Sequence, residues 1–192
     1  MIIFQGVSKE YKTNHHTQIA LHEISFKINP KEFVSLVGKS GAGKTTLIEK
    51  VVIELKHRGY RVGTIKHHSH SGFDIDIPGK DSWRFAQAGS DHIVISAPDK
   101  IASYKKVDRE LSLDEISATM ADVDIILVEG YRKSNKPMIE ILRMQNSKEF
   151  IGSPELWIAL VADFPITYNI PKFGLNDING IVTLVERKFL AA

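Results

Sequence analysis

Eight consecutive residues, Gly38-Lys39-Ser40-Gly41-Ala42-Gly43-Lys44-Thr45, follow the pattern G-x-x-x-x-G-K-[ST]. The chemistry of that pattern is the grip of phosphate. Its glycines let the backbone curl until successive N–H groups point at anionic oxygens. The expected cradle runs through Gly38, Ser40, Gly41, Ala42, Gly43, Lys44, Thr45 and Thr46. A helix starting there adds the partial positive charge of its first turn. Lys44 is expected to reach the β- and γ-phosphates. The Thr45 hydroxyl is expected to bind Mg²⁺, a hard cation that prefers oxygen ligands. A glycine-rich turn that merely opens a helix is the plainer alternative, and the flanks argue against it.

Other residues could complete phosphate chemistry. VDIILVEGY at 123–131 ends an apolar run with Glu129-Gly130. An acid at a strand's carboxyl end can bind Mg²⁺ directly or through water, or simply be solvated. Asp74, Asp76 and Asp81 compete for a second place on the metal, and Asp76 is favoured; each could equally be an ordinary surface-loop acid. Lys44, Asp76 and Glu129 are thus the candidate catalytic set. Lys66 ends a strand expected beside the phosphate-loop strand, where it could touch phosphate or substrate, or snorkel into solvent. Arg132, Lys133 and Lys136 read as a basic cluster at the same end of the sheet, or as a solvated one. His67, His68 and His70 invite a zinc reading, but their spacing is tight and no cysteine or separated fourth ligand accompanies them.

Elements of a definite kind must position these residues. FVSLV at 33–37 suits a strand buried on both faces. TTLIEKVVIELKHRG at 45–59 puts Leu47, Ile48, Val51, Val52 and Leu55 on one helical face, with Gly59 as its stop. Further apolar runs stand at 60–66, 92–96, 123–128, 138–143 and 157–162, with helical patterns around 81–89 and 112–121. A closing helix follows Asp177 as cap. This alternation predicts an α/β fold of the P-loop NTPase class, a mostly parallel sheet with helices on both faces. Residues 2–12 and 19–28 predict two short strands. They divide the chain into an N-terminal β extension, 1–32, and a nucleotide-binding domain, 33–192.

The 192 residues carry a net charge of +2, so no strong field points to nucleic acid or membrane. The absence of cysteine excludes disulfides and thiolate metal sites. No apolar run approaches the roughly 20 residues of a membrane span, and the N-terminus lacks a signal-peptide pattern. A soluble, cytoplasmic protein is expected.

Residues from about 35 to 190 resemble the molybdopterin-guanine dinucleotide biosynthesis protein B (MobB) family. GAGKTTL, GTIKHHSHSGFDIDIPGKDSWRFAQAG at 63–89, DIILVEGYRKSNKPMIEILR at 124–143 and the terminal LNDINGIV carry the resemblance. It implies GTP and Mg²⁺ as cofactors, and a role in attaching GMP to molybdopterin beside a MobA-like guanylyltransferase. It also implies a homodimer and at most weak GTPase activity. Val-Glu-Gly at 128–130 is also similar to dethiobiotin synthetase. The resemblance suggests His67, His68 and His70 for the phosphate of a pterin, and Lys66, Lys80, Asp81 and Arg132 for substrate or partner. No Asn-Lys-x-Asp guanine motif is present. Asp163, after WIALVA, could accept guanine N1–H and the 2-amino group, or serve as a turn cap.

Residues 1–48 instead resemble the start of an ATP-binding cassette protein, with Tyr11 where such proteins stack adenine. An ABC-type ATPase is therefore the alternative reading. No LSGGQ-like signature and no aspartate-glutamate pair follows downstream.

Overall fold

The apolar runs of the sequence become parallel strands because both of their faces are buried. The structure is a computed structural model. It describes residues 2–13, 16–28, 32–68, 72–73, 75–146 and 148–190, with side chains from Phe33 onward. His70, Asp74 and the side chain of Tyr11 lie outside the described residues. The chain divides into two units, Met1–His67 with Met120–Ala192, and His68–Thr119.

The first unit begins with β1 (Ile2–Thr13) and β2 (His16–Ile28), paired antiparallel as a two-stranded sheet. Both strands run longer than their sequence pattern suggested. Then come β3 (Glu32–Val37), α1 (Lys44–His57) and β4 (Val62–Lys66). The second unit supplies α2 (Asp81–Gln87), β5 (His92–Ala97), β6 (Lys100–Lys105) and α3 (Leu113–Ala118). The first unit resumes with β7 (Ile125–Glu129), β8 (Met138–Leu142), β9 (Trp157–Ala162), β10 (Lys172–Phe173) and α4 (Ile178–Val185).

Six strands form one fully parallel sheet in the order β10-β9-β8-β3-β7-β4. The phosphate-loop strand β3 is therefore central, with β7 on one side and β8 on the other; the strand ending at Lys66, expected beside β3, is instead one place further out, because β7 inserts between β3 and β4. Val34, Leu36, Ile125, Leu127, Ile139, Ile141, Ala159 and Val161 pack with Leu47, Val51 and Leu55 of α1 and Ile181, Val182 and Val185 of α4. Fully burying such a side chain stabilises the fold by about 1.5–3 kcal/mol. Val37, Met138, Trp157 and Leu160 form a second buried cluster.

Arg58, just past α1, ties α1 to α4. Its Nε donates to Glu54 at 2.9 Å and its Nη1 to Glu186 at 2.8 Å and Thr183 at 3.2 Å. Tyr60 donates to the other Glu186 oxygen at 2.7 Å. These donors hold the Glu186 carboxyl below its usual range. Gly59, at φ +90°, turns the chain out of α1. The side chain of Asp177 accepts the Gly180 N–H at 3.0 Å and caps α4.

The second unit departs from simple strand-helix alternation. The apolar run HIVIS predicts one more strand of the parallel series, but β5 pairs antiparallel with β6 in a separate hairpin. Ala97 faces Lys100 across the turn Pro98-Asp99. Proline and aspartate preset such a reversal, and the two-residue spacing leaves no room for a crossover helix. Ser112 and Glu115 form a reciprocal capping box on α3. Among the described residues no helix is long and apolar enough to cross a membrane.

Candidate functional site

The phosphate loop leaves β3 at Val37 and enters α1 at Lys44. A side chain at Gly38 would place its Cβ 2.5 Å from the Ile141 carbonyl oxygen, so only glycine lets the loop leave the sheet beside β8. Gly43 stands at φ +85° as the N-cap of α1 and offers no side-chain acceptor. The first amides of a 14-residue helix thus face the loop without a side-chain cap, which is the electrostatics of an anion site. Lys44 folds across the loop and donates to the carbonyls of Gly38 at 2.9 Å and Lys39 at 3.0 Å. Burial lowers its pKa, opposed by the negative charge of Glu129.

Glu129 arrives from β7. The register sets it beside Leu36 of β3 and Lys66 of β4. Its two oxygens lie 3.1 and 3.0 Å from the Thr45 hydroxyl, which donates to them. Lys66 Nζ stands 3.8 Å from Glu129 Oε2. The side chain of Glu129 is 16% exposed, so its charge is felt locally rather than screened away. The next residues hold this corner tightly. Ser35 donates to Gly130 O at 3.1 Å, and Tyr131 sits at φ 51° with its ring 4.5 Å from that of His67. A bulky residue in the left-handed region is strained, and such strain gathers at functional sites. Beside Thr45 and Glu129 opens a groove of about 450 Å³ between α1 and β4, lined by Ile48, Val52, Ile53 and Ile65.

A third component carries little sequence signal. Arg143, Asn146 and Glu149, all after β8, lie against the phosphate loop. Asn146 Nδ2 donates to Ser40 O at 2.5 Å, Lys39 pairs with Glu149, and Arg143 Nη1 lies 3.8 Å from where a Gly43 Cβ would stand. Two acids hold this segment. Asp163 Oδ1 accepts the Met144 N–H at 2.7 Å. Glu140, fully buried on β8, accepts the N–H groups of Ile151 at 3.2 Å and Gly152 at 2.7 Å. Burial raises the pKa of Glu140, against the pull of those two amides. An acid in the middle of the apolar run MIEIL was the available signal.

The expected residues therefore separate into groups. Lys44, Thr45, Glu129 and Lys66 converge. Asp163 faces the segment after β8, with Oδ2 3.7 Å from Arg143 Nε. The basic cluster expected at one end of the sheet is split. Arg132 is exposed yet close enough to depress Lys44. Lys136 Nζ instead lies 4.9 Å over the Phe33 ring near the start of β3. The reason is the bond from Ser35 N to Pro137 O at 2.9 Å, which draws that stretch back along β3. His68, Asp76, Lys80 and Asp81 belong to the second unit. There His68 stacks edge-on with Phe73 at 5.4 Å. Asp76 accepts the Ile77 N–H at 2.8 Å, with Tyr104 OH 3.5 Å away. Asp81 opens α2 just after Lys80. Among the described residues no three His, Asp or Glu side chains are grouped to hold a metal.

Comparison with known proteins places this geometry in a lineage. Residues 33–163 match the family described as molybdopterin guanine dinucleotide synthesis protein B. The chain is 31% identical over 168 residues to the molybdopterin-guanine dinucleotide biosynthesis adapter protein of Haemophilus influenzae, covering 86% of this chain and 94% of that one. It is 32% identical over 152 residues to the Escherichia coli adapter protein, covering 76% and 86%. The crystal structure of Bacillus subtilis MobB superposes with a TM-score of 0.70 at 24% identity, over 84% of this chain and 99% of that one, and supports the fold. Matches to transport ATPases are short. The spermidine/putrescine import ATP-binding protein of Protochlamydia amoebophila is 51% identical over 47 residues, only 12% of its length. A central phosphate-loop strand flanked by a Glu-Gly strand, and a match spanning most of the chain, agree: the protein belongs to the MobB family.

Proposed function

We propose that the protein is an accessory factor of molybdopterin-guanine dinucleotide formation that binds GTP with Mg²⁺ in its phosphate loop. The observation that carries this reading is the meeting of the Thr45 hydroxyl and the Glu129 carboxylate, at 3.0–3.1 Å, at the uncapped start of α1. Both are oxygen donors of the kind a hard divalent cation takes. When bound, Mg²⁺ supplies charge neutralisation for the terminal phosphates. The chain's own contribution is to hold the phosphates on main-chain amides and Lys44. This metal reading rests on Thr45 and Glu129 alone.

The guanine preference is supported by the guanine dinucleotide product in the names of the relatives; Asp163, the sequence's candidate base acceptor, has Oδ1 on the Met144 N–H and Oδ2 beside Arg143. The groove between α1 and β4 supports a second ligand beside the phosphates, with molybdopterin as the candidate. An adapter implies a partner, and a guanylyltransferase of the MobA type fits the chemistry. Self-association as a homodimer is supported by the second unit, where Ile75, Ile77, Phe85, Val94, Ile95 and Ile101 are 49–71% exposed. The biosynthetic role named for the relatives supports a cytoplasmic location. We read hydrolysis as slow in the isolated protein, consistent with an accessory role.

Calorimetric titration tests the core of this reading. Wild-type protein should bind GTP more tightly with Mg²⁺ than without, and more tightly than ATP, and Lys44→Ala should lose binding by at least about a hundredfold. Equal affinity for GTP and ATP would remove the guanine assignment. Unchanged binding by Lys44→Ala would remove the phosphate-loop assignment. Rapid multiple turnover by the isolated protein would contradict the accessory role.

A further inference from the structure

The sheet order gives a bound nucleotide a direction. Glu129 and Thr45, the metal side, lie toward β7, on one flank of β3. The opposite flank is β8, and Arg143 is the first residue after it. On the reading above, the terminal phosphate points toward Glu129 and the nucleoside end toward β8 and β9. Arg143 thus stands where the inner phosphates enter the loop.

Arg143 is only loosely paired, with a side chain that is 41% exposed and one long ion-pair contact to Asp163. The Nη1 atom lies 3.8 Å from the Cβ position of Gly43, against the first turn of α1. Among the described residues, Nε is buried without a hydrogen-bond acceptor. The nearest carboxylate oxygen, Asp163 Oδ2, is 3.7 Å away, beyond hydrogen-bond reach. A planar guanidinium with five donors matches phosphate oxygens in pairs far better than it matches that single long contact. The arginine is also placed firmly. Met144, its neighbour, is bonded to Asp163, and Asn146 is bonded to Ser40 of the loop.

We propose that Arg143 is a second phosphate-binding cation, contacting the inner phosphates of the nucleotide in the phosphate loop, with Asp163 as the residue that positions it. This inference rests on the nucleotide-binding reading above. Lys44 serves the outer phosphates beside Glu129. Arg143 serves the phosphates that a nucleoside diphosphate and triphosphate share. A positively charged group at that place favours GDP and GTP alike and is indifferent to Mg²⁺.

The test uses the full chain and three probes: GTP, GDP and inorganic pyrophosphate, the last by displacement of a fluorescent guanine nucleotide. Arg143→Gln should weaken all three by about ten- to a hundredfold. Arg143→Lys should recover part of the loss, because charge is kept and the paired geometry is not. The unfolding midpoint of the nucleotide-free variants should stay near that of wild type. Pyrophosphate and GDP affinities unchanged in Arg143→Gln overturn the inference. So does a loss confined to the nucleotides with pyrophosphate spared, which assigns the side chain to the base. Wild-type protein that binds no nucleotide overturns both readings. Binding lost in Lys44→Ala but intact in Arg143→Gln overturns this one alone.

Discussion

Replacing Glu140 tests whether a buried acid holds the segment that covers the phosphate loop. Glu140 sits on β8 between Ile139 and Ile141, with no exposed surface. Its two oxygens accept the Ile151 and Gly152 amides at 3.2 and 2.7 Å. Leucine fills much of the same volume and accepts nothing. Each amide left without an acceptor costs about 1–3 kcal/mol, and relief of the carboxylate's own burial offsets part of that. A net loss of about 2–4 kcal/mol is expected for Glu140→Leu, and about 1–2 kcal/mol for Glu140→Gln, which keeps one acceptor. Urea denaturation with an unchanged m-value measures both. The pH dependence carries a definite sign. Burial raises the carboxyl pKa above its unfolded value of about 4.3, so the native state holds more protons than the unfolded chain between the two values. Stability from this group is complete below the unfolded value and is lost as pH rises through the folded one. Glu140→Gln abolishes that slope. Both variants should also weaken nucleotide binding, because Asn146 and Arg143 ride on the same segment. Wild-type stability in Glu140→Leu would refute the anchoring role and the chain of reasoning from Glu140 to the loop.

Glu129→Gln keeps an oxygen for the Thr45 hydroxyl but loses the charge, so calorimetry should show GTP binding that no longer improves with Mg²⁺. Arg58→Ala removes the donors shared by Glu54, Glu186 and Thr183 and should lower stability by about 2–3 kcal/mol in denaturant titration, with nucleotide affinity little changed. In wild type the Glu186 pKa is depressed, so its contribution is present above the unfolded carboxyl value and lost as pH falls through the folded one. Gly41→Ala puts a side chain at φ +78° and a Cβ 2.8 Å from Asn146 Nδ2; about 1–2 kcal/mol of strain should appear as a lower thermal midpoint and weaker nucleotide binding.

What could be read in advance was local. FVSLV followed by the glycine-rich loop and TTLIEKVVIEL announces a buried strand, a phosphate cradle and an amphipathic helix, because each signal lies within one element. Val-Glu-Gly announces a strand-end acid in the same way, and the MobB resemblance places both in one family. The pairing of β5 with β6 was harder, since KIASYK is short, mixed and largely exposed. The two-residue strand β10 leaves almost no pattern at all. The approach of Arg143, Asn146 and Glu149 to the loop was not legible either. It depends on acids distant in sequence that accept main-chain amides, and main-chain amides carry no sequence signature.

That difference separates two kinds of acid on the strands of this sheet and at their ends. Asp163 and Glu140 spend oxygens on amides of one segment, so removing either side chain first frees the backbone it holds. Glu129 spends both oxygens on the Thr45 hydroxyl, with Lys66 alongside, and those partners belong to the phosphate corner itself. A hydroxyl and an ammonium can exchange one acceptor for another at little conformational cost, whereas an amide fixed in a turn cannot. Glu129 is therefore the acid able to change partners when an anion and its metal arrive. Glu140 cannot do so without releasing the segment it anchors, and Asp163 can give up only the oxygen that faces Arg143. The division of labour predicts the order of sensitivity: Glu129 variants alter metal dependence first, and Glu140 variants alter stability first.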